Sequence, residues 1–476
     1  MCVDIISHVG TILLVMKKYI DVEDRKGTIK DTPKENKLGV MPVGKLLASM
    51  SIPTMFSMLI QALYNIVDSI FVSRLSEKAL TAVSLAFPMQ NLLIAFAVGI
   101  SVGICSVVSR RLGEKREDEA FKAAETGYAI LLICTVAFML IGVFFSKPFF
   151  KIYTNDPELI QMGTSYLRIC LIVSLGCFLG VFNEKILQAT GDTIHPMIIQ
   201  LCGAIFNIVF DPILIFGYFG FPAMGIEGAA YATVAGQFVS MFVGILYAKR
   251  NQYVNIKFLR FSIDRKAAKN ILQVGLPSVV MQGIGTIMTS LMNAILITYE
   301  IVATTVFGVY FKLQSFVFMP VFGLNSGLMP ILAYNYGAKN RERMMKALRL
   351  GMIVAFAIMV LGMLAFMLIP DSLLGLFEAS PRMLEVGEVA LRRIALSFPL
   401  AAFTIILGAL FQAMGDGYIS MITSLTRQIG ILIPSAWLLG KLFGLDAIWF
   451  SFIIAEVVVI VLSVMFFGKE KRKLQF

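Results

Sequence analysis

SIPTMFSML, Ser51–Leu59, returns later in the chain as GLPSVVMQG, Gly275–Gly283, with Pro53 aligned on Pro277. The offset of 224 positions (277 less 53) then holds without a gap across several elements. Phe87 falls on Phe311, Gln90 on Gln314, and Gly99 and Gly103 on Gly323 and Gly327. RRLGEKRE from Arg110 falls on YNYGAKNR from Tyr334, NDPELI from Asn155 on ASPRML from Ala379, and LQATGDT from Leu187 on FQAMGDG from Phe411. Five residues are then lost, and MGIEGAAY from Met224 meets FGLDAIWF from Phe443. A register kept over this distance marks two homologous halves.

Each half carries six apolar runs, centred near 59, 96, 133, 171, 205 and 236, and near 284, 320, 357, 397, 429 and 457. Each run is about 20 residues long, enough to cross a hydrocarbon core of about 30 Å as a helix. The bulk numbers agree: of 476 residues, 58% are hydrophobic and only 15% charged, too little polar surface to cover a soluble protein. The predicted fold is an all-α polytopic membrane protein of twelve transmembrane helices. Because six is even, both halves enter the membrane from the same side. The repeats are then parallel, two six-helix bundles related by a pseudo-two-fold along the membrane normal with a cleft between them.

Charge sets the orientation. With the N-terminus inside, the inner segments 109–122, 248–269, 337–349 and 469–476 hold 21 Lys and Arg, against 6 in the outer loops. That is a positive-inside bias. It accounts for the net charge of +11, and its scatter among loops argues against a nucleic-acid face. The expected organisation is a flexible cytoplasmic extension over 1–42, an N-lobe over 43–250, a cytoplasmic linker over 251–268, a C-lobe over 269–468 and a basic cytoplasmic tail over 469–476. The N-terminus, with Asp4 and no small-residue cleavage site, does not match a secretory signal. Asp156-Pro157 and Ser380-Pro381, at equivalent places in the two halves, each predict a capped helix start.

Covalent chemistry finds no support. GISVG, Gly99–Gly103, has the GxSxG spacing but lies inside an apolar run, and its copy GLNSG carries Asn325 in place of the serine. Close helix packing explains both. No phosphate-binding GxxxxGK[ST] and no HExxH occur, the six cysteines form no CxxC pair, and there are two histidines. The chain is therefore predicted to be a transporter and not an enzyme, with no cofactor.

The polar residues inside apolar runs are the candidates for function, since a carboxylate in mid-bilayer costs about 2.5–3.5 kcal/mol on insertion scales. Asp68 sits in LYNIVDSIF, either facing the headgroups near Arg74 or facing the bundle interior as an ion-binding group. Asn207 and Asp211, at i and i+4 in FNIVFDPILIFG, share one helix face. Asp211 has a structural alternative, as the cap of a segment starting at Pro212. Thr233 could add a hydroxyl from the next helix. The copies of Asp68, Asn207, Asp211 and Thr233 are Met292, Ile431, Ser435 and Phe452, so the acidic cluster belongs to the N-terminal half alone. Lys312 and Arg427 either line the cleft or reach for its edge. Glu456 and its copy Gln237 look like paired packing or cleft positions. Pro53 removes a backbone donor and could hinge the first helix.

Taken together, QALYNIVDSIFV (Gln61–Val72), VSRRLGEKR, LQATGDT, the Asn207/Asp211 stretch and MPILAYNYGAKN (Met329–Asn340) resemble the multidrug and toxic compound extrusion (MATE) family, in its bacterial, DinF-like branch, over about 43–468. The resemblance implies export of amphipathic, often cationic, drug-like compounds in exchange for H⁺ or Na⁺, by a monomer in the plasma membrane among its lipids. It assigns ion coupling to Asp68, Asn207, Asp211 and Thr233, with Na⁺ a candidate at the first three. Gln61, Asn65, Gln282, Lys312 and Arg427 are the expected cleft-lining residues. Some members use acids on helices 7 and 10; in the helix-7 run PSVVMQGIGTIMTSLMN this chain has Gln282 and no acid, which tells against that C-lobe scheme. The alternative within the same superfamily is a lipid-linked saccharide flippase, which would favour basic cleft residues such as Lys312 and Arg427.

Overall fold

A computed structural model describes residues 36–251, 253, 262–377 and 380–470. Among the described residues twelve long helical runs follow one another, with short helices at Lys37–Val40 and Pro370–Gly375 beside them. In the first half they are α1 (Val43–Leu75), α2 (Glu77–Gly113), α3 (Glu117–Tyr153), α4 (Pro157–Ile172, then Leu175–Ala189), α5 (Ile194–Phe216) and α6 (Ile226–Lys249). The second half repeats the order. It has α7 (Arg265–Leu296), α8 (Ile301–Gly337), α9 (Arg341–Leu368), α10 (Pro381–Ala395, then Phe398–Met414), α11 (Gly417–Leu425, Thr426–Leu432, Ile433–Phe443) and α12 (Leu445–Glu470).

Local chemistry explains the ends. Asp156 caps α4 by accepting from the backbone N–H of Glu158 at 2.9 Å, and Ser380 caps α10 by accepting from Met383 at 3.3 Å. In each helix the following proline occupies the first turn, where its missing N–H costs nothing. Both helices also bend midway, by 45° in α4 and 47° in α10. The middle piece of α11, Thr426–Leu432, is a π-helix, and nothing in the sequence pattern had marked it.

Some expected boundaries differ. The last part of the N-terminal stretch is ordered: Leu38 is fully buried, and its carbonyl accepts from Asn335 Nδ2 at 3.1 Å. Arg343 binds the carbonyl of Met41 at 2.7 Å. Residues 1–35 lie outside the described residues, as do most of 251–261 and all of 471–476. α7 starts at Arg265, four residues earlier than the linker reading placed it, because Asp264 accepts from the N–H of Ala267 at 2.7 Å.

The two halves meet through α1 against α8 and α2 against α7, and glycines set these crossings. A Cβ at Gly99 would stand 2.5 Å from the backbone nitrogen of Val279, and one at Gly323 would stand 2.5 Å from Met55 Cα. Gly323 is the copy of Gly99 and Val279 the copy of Met55, so one contact is the two-fold image of the other. Gly103 against Ile271 and Gly275, and Gly327 against Met50 and Ser51, form a second such pair. At the ends of α2 and α8, Gly113 lies against the Tyr334 carbonyl and Gly337 against the Arg110 carbonyl. The residues that follow, Lys115 and Lys339, are also equivalent and both adopt positive φ, 59° and 54°.

These contacts gather toward one membrane face, the one from which α1 enters, here called the near face. Most polar ties follow the same rule, although Asn91 on α2 donates to Thr286 Oγ1 on α7 at 3.0 Å further toward the far face. Thr54 donates to the Gly323 carbonyl at 2.7 Å, Ser106 to the Gln412 carbonyl at 2.7 Å, and Arg110 to the Met414 carbonyl at 2.9 Å. On the far face, the ion pairs recorded among the described residues stay within one bundle, as in Arg382 with Glu300 at 2.6 Å and Lys78 with Asp156 at 3.4 Å.

Candidate functional site

The N-terminal bundle holds the polar cluster. α5 and α6 can touch because both are stripped at their crossing: a Cβ at Gly236 would lie 2.8 Å from the Gly203 carbonyl and 3.4 Å from Asn207 Cβ. This close approach sets Asn207 on α5 against Thr233 on α6. Asp211, one turn along the same face as Asn207, is fully buried, and Asn207 is 2% exposed. With its amide turned so that the nitrogen faces the carboxylate, Asn207 donates to Asp211 Oδ2 at 2.9 Å and accepts from the Thr233 backbone N–H at 3.2 Å. The opposite orientation would set the amide nitrogen 3.3 Å from both Asp211 Oδ1 and Thr233 Oγ1. The first orientation satisfies donor and acceptor together, as a buried amide requires.

Asp211 is not a helix cap. α5 runs unbroken from Ile194 to Phe216, with Pro212 inside it. The structural alternative weighed for Asp211 is thereby removed, and its carboxylate belongs to a three-residue group that joins α5 to α6. The sequence did not single out Gly203 and Gly236, although small residues at the crossing are what bring the group together.

α1 borders this cluster. Gln200 on α5 donates to Gln61 Oε1 on α1 at 3.0 Å. The backbone at Asn65 and Asp68 lies on α1, but both side chains lie outside the described residues. α1 is helical through Pro53. That proline leaves the carbonyl of Ser49 without its helical donor, and Thr193, from the turn before α5, donates to this carbonyl at 3.0 Å. The first helix is thus tied to the foot of α5 at the point where its own ladder is broken.

The remaining candidates lie apart from the cluster. Gln282 on α7 is exposed. Lys312 is exposed on α8, its ammonium 5.8 Å from the Phe377 ring centre. Arg427, in the π-segment of α11, pairs with Glu456 of α12 at 3.0 Å, and the Thr404 hydroxyl lies 3.0 Å from the other oxygen of Glu456. The structure therefore brings Asn207, Asp211 and Thr233 together in one bundle, and Arg427 and Glu456 together in the other.

Comparison with known proteins follows the same division. The family described as MatE matches residues 53–213 and again 277–438, once in each half. The chain is 26% identical over 412 residues to a FAD transporter of Shewanella oneidensis, covering 86% of this chain and 90% of that one. It is 26% identical over 418 residues to the multidrug export protein MepA of Staphylococcus aureus, covering 87% and 91%. Among solved structures, it superposes with a TM-score of 0.87 on a multidrug resistance MATE family transporter of the MOP superfamily in an outward-facing conformation. The identity is 27%, with 94% of this chain and all of the other covered. A MOP superfamily transporter from Pyrococcus furiosus, described as having a binding pocket of reverse polarity, matches with the same score, identity and coverage.

Proposed function

The chain belongs to the MatE family of membrane transporters, and from that premise we propose that it is a secondary active exporter of amphipathic, often cationic, compounds in exchange for H⁺ or Na⁺. The single observation that carries the coupling is the buried Asn207–Asp211–Thr233 group, present in one bundle and replaced by Ile431, Ser435 and Phe452 in the other. A carboxylate sealed inside a bundle with an amide and a hydroxyl beside it supplies the oxygen donors that a proton or a sodium ion takes.

Asp68 joins this group in the proposal, through helix register. α1 and α5 run in the same direction and touch at Gln61 and Gln200. Seven residues further along each lie position 68 and Asn207. At 1.5 Å per residue both stand about 10 Å beyond the contact, on faces that recur after two turns. We take the near face as cytoplasmic, from the inner excess of Lys and Arg; in this proposal both termini are inside, the cleft opens outward and the protein works in the plasma membrane. In this reading one lobe is α1–α6 and the other α7–α12, the second beginning at Arg265.

Transport follows from differential binding. An ion biases an equilibrium only if the two states hold it differently. Filling the group with H⁺ or Na⁺ neutralises the acids and lets α1 move at Pro53 against α5. The two glycine seams then part at the near face while the far face closes, and each cycle exchanges ions for one drug-like molecule. The test is efflux of a fluorescent cation from proteoliposomes under an imposed pH or Na⁺ gradient. Asp211→Asn and Asp68→Asn are expected to abolish gradient-driven efflux while leaving the protein folded. Full efflux in both variants would remove the group from coupling, and a wild type indifferent to both gradients would remove antiport.

A further inference from the structure

The two halves also differ at a place where the second one becomes charged. At the crossing of helices four, five and six, the first half has Gly180, Gly203 and Gln237. The equivalent positions in the second half are Thr404, Arg427 and Glu456. In the first half this level is closed by packing, since Gly203 lies against the Gly236 carbonyl and Ser240. In the second half, an ion pair replaces the glycine crossing. Burying an ion pair is often no more stabilising than apolar packing, so the fold did not require it there. The π-segment Thr426–Leu432 that carries Arg427 is a deformation often found at functional sites.

The unused hydrogen-bonding capacity decides what the site would bind. Glu456 is 8% exposed, with one oxygen facing Arg427 at 3.0 Å and the other facing the Thr404 hydroxyl at 3.0 Å. Arg427 is 25% exposed, and the bond to Glu456 is the only one its guanidinium makes among the described residues. A guanidinium has five N–H donors in a planar fork. The spare capacity is therefore for donation, and what it lacks is an acceptor. One turn from Thr404 on the same helix face, a Cβ at Gly408 would meet nothing within 4 Å, so that face of α10 is open. The site faces the bundle interior: Phe452, one turn before Glu456 on α12, meets the buried Tyr310 of α8 with ring centres 5.9 Å apart.

We infer that Arg427, held by Glu456 and Thr404, is a binding site for the oxyanion of an amphipathic substrate, a carboxylate or a phosphate. This rests on the export reading only for the existence of a substrate. Because Glu456 already neutralises Arg427, a molecule whose acid is balanced by its own cationic body fits best, and such a zwitterion leaves the local charge near zero. The planar fork supports two parallel bonds to such a group, which an ester of the same molecule cannot match in charge.

The experiment measures binding of rhodamine B, a cationic dye with a free carboxylate, and of its ethyl ester to the purified protein by fluorescence polarisation. The variants are Arg427→Gln and, to avoid leaving Glu456 unpaired, Arg427→Gln with Glu456→Gln. The wild type is expected to favour the acid over the ester. Both variants are expected to lose about tenfold in affinity for the acid, the size of a charge-assisted bond, and to keep their affinity for the ester. A second arm, fluorescent short-chain phosphatidic acid against phosphatidylcholine in nanodiscs, identifies a lipid headgroup as the source if the tenfold loss appears there instead. An acid-to-ester ratio that the double variant leaves unchanged in both arms overturns the site while leaving export of the ester intact. A wild type with no preference for acid over ester and none for phosphatidic acid overturns it as well.

Discussion

The glycine seams make the resting conformation open to a steric test. In Gly99→Ala the new Cβ would stand 2.5 Å from the Val279 nitrogen, whereas ordinary contact begins at 3.4 Å, so α2 and α7 must part by about 0.9 Å. The neighbour is backbone and cannot rotate away. Overpacking of this kind costs about 1–3 kcal/mol, which shifts the balance between the near-closed state and its alternative by roughly 5- to 150-fold. Gly323→Ala makes the same demand on α8 and α1, 2.5 Å from Met55 Cα. Intrinsic propensity runs the other way, since Ala favours a helix over Gly by about 0.8–1 kcal/mol, so the helices themselves should not fray. Spin labels at Lys115 and Lys339, exposed and two-fold equivalent on the near face, report the seam. Labels at Ile152 and Leu376, also equivalent and exposed, report the far face. In a background with the cysteines replaced, the alanine variants should gain a longer 115–339 distance and a shorter 152–376 distance by electron–electron double resonance. Unchanged distributions in a folded Gly99→Ala/Gly323→Ala variant would refute the claim that these crossings hold the near face shut.

Three further outcomes are expected. Thr193→Val should leave the part-buried Ser49 carbonyl without this donor, at a cost toward the lower end of about 1–3 kcal/mol, read as a lowered Tm that Thr193→Ser restores. If Na⁺ is the coupling ion, adding NaCl in place of KCl should raise the Tm of the wild type and not that of Asp211→Asn, since only a ligand that binds the folded state stabilises it; equal shifts would exclude the site as its binding place. The N-cap carboxylate of Asp156, outside the membrane-spanning helices, is held below its ordinary value of 3.8 chiefly by the backbone N–H of Glu158. Its contribution is therefore present above pH 3.8 and lost as pH falls through the lower folded value, so the Tm difference between wild type and Asp156→Ala should shrink in that window and not near neutrality.

What the sequence showed and what it hid have physical reasons. Spans and halves were legible because hydropathy and spacing are local: Pro53 and Pro277, or Asp156 and Ser380, are identified without knowing any partner. Asn207 and Asp211 were legible because i and i+4 on a helix must share a face. Pairings across the chain were not. Nothing local says that Gly99 lies on Val279, that Thr193 completes the ladder broken by Pro53, or that Gly203 and Gly236 let α5 and α6 touch. Arg427 and Glu456 show the same limit most clearly. By sequence Arg427 reads as a cleft-lining or snorkelling side chain and Glu456 as a packing or cleft position paired with its copy Gln237, and only the fold joins the two at 3.0 Å. A signal for them did exist in the difference between the halves, where Gly180, Gly203 and Gln237 become Thr404, Arg427 and Glu456. The same subtraction, run in the other direction, had isolated Asn207 and Asp211. In a duplicated transporter, symmetry maintains the scaffold, so positions where the copies diverge from packing to charge are where the two lobes can take different tasks. Under the two proposals, one bundle carries the ion and the other meets the acid group of what is moved.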